Sequence, residues 1–150
     1  MKKVFFLMLI AGIALSGCKK DDNKPANSGS FQVEGTTINV TDMLWFDISV
    51  QMGDTENTSY SISSYGNSDN DLLVQLSDKK TGEITIDEGN NVELTVGEDS
   101  YVSVSGTISI TKFDDKAIQG TFTGKFVKND GTEQLDASGS FLANKLTLDI

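Results

Sequence analysis

The chain has 150 residues, a formal net charge of −10, twelve lysines, no arginine and no histidine. An acidic balance of this size argues against nucleic acid and against an electrostatic membrane patch, both of which need a basic face. The missing residue types exclude an imidazole general base, the usual zinc sites and a guanidinium clamp on phosphate, and the single cysteine, Cys18, leaves nothing for a disulfide.

Lys2 and Lys3 precede an uncharged apolar run from Val4 to Leu15. That run fits the apolar region of a signal peptide and falls short of the roughly 20 residues a membrane-spanning helix needs. It ends in Leu15-Ser16-Gly17-Cys18, an aliphatic residue, two small ones and a cysteine, which resembles the lipobox of bacterial lipoproteins. The resemblance implies a signal peptide over residues 1–17, cleavage before Cys18 and acylation of Cys18, including palmitate-type chains. It places the protein at the bacterial outer membrane, lipid-anchored. Two or three acyl chains hold firmly, since each buried methylene adds roughly 0.8 kcal/mol. Cleavage removes two lysines and no acid, so the net charge moves from −10 to −12.

Residues 18–30 read as the lipidated cysteine and a flexible linker. KKDDNKPANSGS contains no large apolar side chain and holds the only proline, so it cannot bury a core. Lys20-Asp21-Asp22 also resembles the surface-export signal of Bacteroidetes-type lipoproteins. A merely solvated linker has the same composition, and both readings stay open.

From Phe31 to the end, one domain over residues 31–150 is expected, with an apolar period of two. Phe31 and Val33, then Ile38 and Val40, then Leu44, Phe46, Ile48 and Val50 alternate with polar residues. Tyr60 and Ile62 follow, then Leu72, Val74 and Leu76, then Ile84 and Ile86, then Val92, Leu94 and Val96. Alternation with one polar face predicts half-buried antiparallel strands. In the last third, Val102, Val104, Gly106, Ile108 and Ile110 share one face, and Ile118, Gly120, Phe122, Gly124 and Phe126 the next. Leu135, Ala137, Gly139 and Phe141 follow, then Leu146, Leu148 and Ile150.

Opposed residues of a hairpin share a face, so parity constrains the turns. The switch from even to odd inner positions after Phe126 predicts a two-residue type I′ turn at Asp130-Gly131. That register opposes Phe126 to Leu135, Gly124 to Ala137, Phe122 to Gly139 and Gly120 to Phe141, laying a ring over each of two glycines. A two-residue Asn144-Lys145 loop would then oppose Phe141 to Leu148. Asp114-Asp115-Lys116 is expected as a three-residue loop unless a bulge intervenes, and odd loops are expected around Lys79–Thr81, Glu88–Asn90 and Glu98–Ser100. The fold class is all-β: an antiparallel meander of about nine or ten strands forming a barrel or barrel-like sandwich, since a flat sheet would expose two edges.

The stretches Gly106–Phe126 and Ala137–Phe141 resemble the terminal strands of small Bacteroidetes-type outer-membrane lipoproteins of unknown function. The resemblance covers roughly the last 45 residues plus the lipobox, and implies the fold but no catalytic residue.

The acids are numerous. Asp87, Glu88, Glu93, Glu98 and Asp99 gather around two expected turns, but no spacing specifies a glycosidase pair. Asp69-Asn70-Asp71 offers three oxygen ligands for calcium, and turn capping accounts for it more cheaply. No catalytic residue, metal site or cofactor is expected. Trp45, on the face opposite Leu44, Phe46 and Ile48, stands beside Asp47 as a ligand platform for stacking sugar; packing under a loop produces the same pattern. Tyr65 and Tyr101 fall on polar sides and would extend such a platform. The lysines lie in polar loops and should keep ordinary basicity.

These readings converge on a lipid-anchored, exported, non-catalytic binding or interaction module, with a glycan or a surface protein as partner and no nucleic acid. A lipocalin-like carrier of a small apolar ligand is the alternative, and an acidic-pair hydrolase ranks last.

Overall fold

The computed structural model describes residues 27–66 and 69–148. The signal peptide, Cys18, Lys20-Asp21-Asp22 and Ile150 lie outside the described residues.

The fold is all-β with ten strands: β1 Ser28–Val33, β2 Thr36–Thr41, β3 Met43–Met52, β4 Thr55–Ser64, β5 Asn70–Leu76, β6 Gly82–Thr85, β7 Asn91–Val96, β8 Asp99–Phe113, β9 Ala117–Lys128 and β10 Gln134–Lys145. The first strand starts before Phe31. Gly29 is buried there with Val40, Leu72 and Ser140 around it, so Ser28–Ser30 belong to the fold rather than to the linker.

The meander is antiparallel except at one place. β3 pairs with β4, β4 with β5, β5 with β7, β7 with β8, β8 with β9 and β9 with β10. A short parallel pairing, Asn144 with Leu44 and Lys145 with Trp45, then joins β10 to β3. The hydrogen bonds thus run in a ring, and the architecture is barrel-like. Two pieces stand off the ring. The β1–β2 hairpin continues from β10, with Phe31 opposite Gly139. β6 pairs with the distal half of β8, Ile84 opposite Ile108, so β5 skips β6 to reach β7.

The core follows the alternation. Phe31, Val40, Ile62, Leu72, Val74, Leu76, Ile84, Ile86, Val92, Leu94, Ile108, Ile110, Ile118, Phe122, Phe126, Leu135 and Phe141 are all buried. The β9–β10 register has all four expected oppositions. A Cβ on Gly139 would lie 2.6 Å from the Phe122 ring, and one on Gly120 would lie 2.9 Å from Phe141. Each ring occupies the volume its opposed glycine leaves free, as a tightly curved sheet requires.

Four expectations need correction. First, β3 presents the other face. Met43 and Trp45 are buried, while Ile48 and Val50 are exposed. The cause is the Gly53-Asp54 turn, which opposes Met52 to Thr55 and therefore Trp45 to Ile62. Gly53 has φ +66, which suits the first position of a two-residue hairpin turn.

Second, β7 and β8 meet through a two-residue Gly97-Glu98 turn, Val96 opposite Asp99, not an odd loop. Leu94 then faces Tyr101, and Tyr101 and Ser103 turn inward in place of Val102 and Val104. A bulge between Ser103 and Ser105 restores the even parity of Ile108 and Ile110 and throws Val104 outward.

Third, the turns after β8 and β9 differ in kind. A second bulge, between Ile110 and Lys112, changes parity before the β8–β9 turn. Asp114 Oδ1 accepts from the Lys116 and Ala117 amides there, both at 2.8 Å. At the β9–β10 turn the Lys128 amide donates to Glu133 at 2.9 Å and Gly131 donates to Lys128 at 2.7 Å, a longer loop with the same parity as the two-residue turn. The type I′ signature, φ > 0 at both central residues, occurs instead at Glu34 and Gly35.

Fourth, no hairpin forms at Asn144-Lys145. Those residues complete β10 and bind β3, and Leu148 is exposed.

Two buried serines finish ladders that would otherwise leave an amide bare. The β4–β5 ladder ends at Ser63 and Leu73, and the next amide, Leu72, donates to Ser64 Oγ at 3.0 Å. The β7–β8 ladder ends at Glu93 and Val102, and the Val92 amide donates to Ser103 Oγ at 2.8 Å. A hydroxyl does the work of the missing carbonyl because an unpaired buried amide costs about 1–3 kcal/mol.

Candidate functional site: a projecting hairpin and its aromatic root

Only part of the β3–β4 hairpin belongs to the barrel-like ring. β4 pairs with β5 over Tyr60–Ser63, and β3 pairs with β10 only at Leu44 and Trp45. Past these points the two strands pair with each other alone, from Ile48 opposite Ser59 to Met52 opposite Thr55. The hairpin therefore projects as an arm. Its outer part is solvated on both faces, with Ile48 at 46%, Val50 at 52% and Met52 at 68% exposure. These three residues share one face and stand opposite Ser59, Asn57 and Thr55. The other face carries Asp47, Ser49 and Gln51, with Ser49 and Thr58 hydroxyls hydrogen-bonded at 2.9 Å. Asp54 and Glu56 add charge near the tip, and no lysine lies in residues 46–59.

The arm's root is aromatic. Trp45 is 1% exposed. Its ring centroid lies 5.6 Å from Phe113 and 6.3 Å from Tyr60, and Tyr60 and Phe113 meet edge-on at 5.0 Å. Burying an indole removes roughly 150–250 Å² from water, worth about 4–6 kcal/mol before entropy. Lys145 Nζ caps the ring at 4.9 Å and reaches Asp47 at 3.8 Å. Lys79 lies over Phe113 at 5.7 Å and pairs with Asp115. Among the described residues the indole N–H is buried without a hydrogen-bond partner, so packing and the Lys145 contact hold the ring.

Trp45 is therefore a core residue, and the pairing of Trp45 and Asp47 as an open stacking platform is corrected. Asp47 is exposed and Trp45 is not. Tyr101 is buried too, its hydroxyl 3.4 Å from Glu133, and burial pushes its pKa up. Tyr65 is exposed at the end of β4, two residues beyond the ladder that pairs Ser63 with Leu73.

The acids divide among separate structural tasks. Asp87 Oδ1 accepts from the Gly89 and Asn90 amides and from Asn90 Nδ2, and the Asn90 side chain is the main cause of its lowered pKa. Asp99 pairs with Lys128 at 2.8 Å. Asp71 accepts from Ser64 Oγ at 3.2 Å, and among the described residues no three acidic side chains gather as metal ligands. Lys79 and Lys128 have raised pKa values, each chiefly through the hydrogen bond to its aspartate partner, so neither is tuned to act as a base.

The surface depressions are open and of mixed lining. One of about 270 Å³ lies where β1, β2 and β10 meet, around Ser28, Ser30, Asn39, Thr41 and Ser140. Another of about 440 Å³ lies beside the β8 bulge, around Asp87, Glu88, Asn91 and Val104. No family model, curated protein or solved structure matches the chain.

The arm was not evident from composition. Its signal was present, however: Ile48, Val50 and Met52 have the parity opposite to Trp45, and Gly53-Asp54 marks the turn that exposes them.

Proposed function

We propose that the protein is a lipid-anchored, exported, non-catalytic interaction module of the bacterial outer membrane, and that its contact surface is the projecting β3–β4 arm. One observation carries the reading: three large apolar side chains stand exposed in a row on the outer part of a hairpin, beyond its pairing with β5 and β10. Apolar rows of this kind mark interaction sites when they are contiguous. The partner is a protein rather than a glycan, because the only indole is sealed in the core.

The carrier alternative loses support, since Phe122, Phe126, Phe141 and Trp45 occupy the interior. The membrane address rests on the Leu15–Cys18 motif. Mass spectrometry of the native N-terminal peptide tests it: a diacylglyceryl Cys18 is expected, and an unmodified thiol refutes anchoring. A photo-crosslinking residue at position 50 in living cells tests the contact surface. Adducts are expected there and not from position 121 on exposed β9; equal or absent labelling at position 50 refutes the reading.

A further inference from the structure

The arm has a free hydrogen-bonding edge, and its backbone orientation is fixed by one contact. The Leu146 amide donates to the Trp45 carbonyl at 2.8 Å, so the polar backbone groups of Trp45 face β10. Alternation along β3 places those of Asp47, Ser49 and Gln51 on the same edge. The groups of Phe46, Ile48, Val50 and Met52 then face β4, as the closing pair of Met52 with Thr55 requires. β10 ends at Lys145, and among the described residues no strand lies along the outer edge of residues 46–52.

This edge carries one of the usual defences, the charge of Asp47, and lacks the others. Residues 46–52 contain no lysine, no proline and no bulge. The neighbouring free edges differ. The outer part of β4, residues 55–59, is polar and carries Glu56. β2 turns Val40 to the core and exposes Thr36, Thr37 and Asn39, and β6 is only four residues long.

We propose that β3 receives an extended segment of a partner protein as an added strand along residues 46–52, and that this segment alternates apolar with basic residues. The inference rests on the arm being the contact surface. Main-chain bonds to Asp47, Ser49 and Gln51 supply affinity, and the two side-chain rows supply selectivity. Apolar residues of the incoming strand lie beside Ile48, Val50 and Met52. Its other residues lie beside Asp47 and Gln51, with Glu56 across from Gln51. This polar row is acidic, the only base against it among the described residues is Lys145 at 3.8 Å from Asp47, and the whole chain is at −10. Charge complementarity selects lysine or arginine at those positions. The same charge disfavours a second copy, although an antiparallel register of Ile48 with Val50 would superimpose two apolar rows.

The test uses the full chain and two fluorescently labelled, end-blocked nine-residue peptides, one alternating lysine with valine and one alternating glutamate with valine. Anisotropy should rise with the lysine peptide, weaken with added salt, and stay flat with the glutamate peptide. Ser49→Pro removes one outward amide and no β3–β4 backbone bond, losing between the two strands only the Ser49–Thr58 hydroxyl bond, and should weaken binding about tenfold or more. Asp47→Lys with Glu56→Lys should transfer the preference to the glutamate peptide, which keeps the test decisive if the proline variant does not fold. Equal binding of both peptides, indifference to Ser49→Pro in a folded variant, or an arm-mediated dimer that takes no peptide each overturns the inference. If position 50 still crosslinks in cells while Ser49→Pro has no effect, the arm docks by its face; strand addition fails and the interaction reading stands.

Discussion

Replacing Gly139 by alanine should destabilise the fold by about 2–3 kcal/mol, the upper part of the range for overpacking a filled core. The new Cβ would lie 2.5 Å from the Ser30 carbonyl oxygen and 2.6 Å from two carbons of Phe122. Neither neighbour yields easily. Ser30 is held in the β1–β10 ladder opposite Ser140, and the Phe122 ring is wedged at 6.0 Å against Phe126. Phe122→Ala alone should cost about 3–5 kcal/mol through the cavity it leaves. The double variant relieves the ring contact and keeps the Ser30 contact, so its cost should fall short of the sum by about 0.5–3 kcal/mol. Urea unfolding followed by emission of the single tryptophan measures all three. A Gly139→Ala change within about 0.5 kcal/mol of the parent, or strict additivity with Phe122→Ala, refutes the view that ring and glycine share one volume.

Ser64→Ala and Ser103→Ala should each cost about 1–3 kcal/mol in the same assay, because each strips the partner from a buried amide; unchanged midpoints would show that the strand ends repair themselves. Trp45 should emit like an indole in an apolar setting and resist acrylamide quenching, and rapid quenching would contradict its burial. Stability should plateau around neutral pH and fall at both ends. Asp87, Asp114, Asp115 and Asp130 are held below the ordinary aspartate range by the Asn90 side chain, the Ala117 amide, Lys79 and the Thr132 hydroxyl respectively. Their contribution is complete above about pH 4 and is lost as acid titrates them at their lowered folded values. Tyr101, Lys79 and Lys128 are raised, so their contribution is complete below about pH 10 and is lost above it. Urea midpoints across pH check this, and a midpoint that climbs on acidification below pH 4 contradicts it.

Much of the fold was legible because period two survives in almost every strand, and because Phe122, Phe141, Gly120 and Gly139 admit one register. The failures share a cause. Face assignment along β3 depends on the Gly53-Asp54 turn, not on which parity holds more apolar residues. Applying there the parity argument that succeeded for β9 and β10 puts Trp45 opposite Ile62. The arm hid for the same reason: Ile48, Val50 and Met52 look like core residues to any count of hydrophobicity. The bulge at Val104 left only a weak local signal, Gly106 two residues on with φ +134, because a glycine in an inner row reads equally as sheet curvature. The closure of β10 on β3 was equally hidden, because two residues of parallel pairing have no pattern of their own.

That closure has a consequence for synthesis. The strands it joins are far apart in sequence, Leu44 meeting Asn144 across 100 positions, as are β1 and β10, where Ser30 meets Ser140 across 110 positions. A nascent polypeptide not yet extended through β10 has neither the ring nor a seat for its first hairpin. High contact order of this sort slows folding to milliseconds or longer. On the proposed export route, a chain that crosses a translocation pore in extended form gains from that delay, because the ring closes only after β10 has been made.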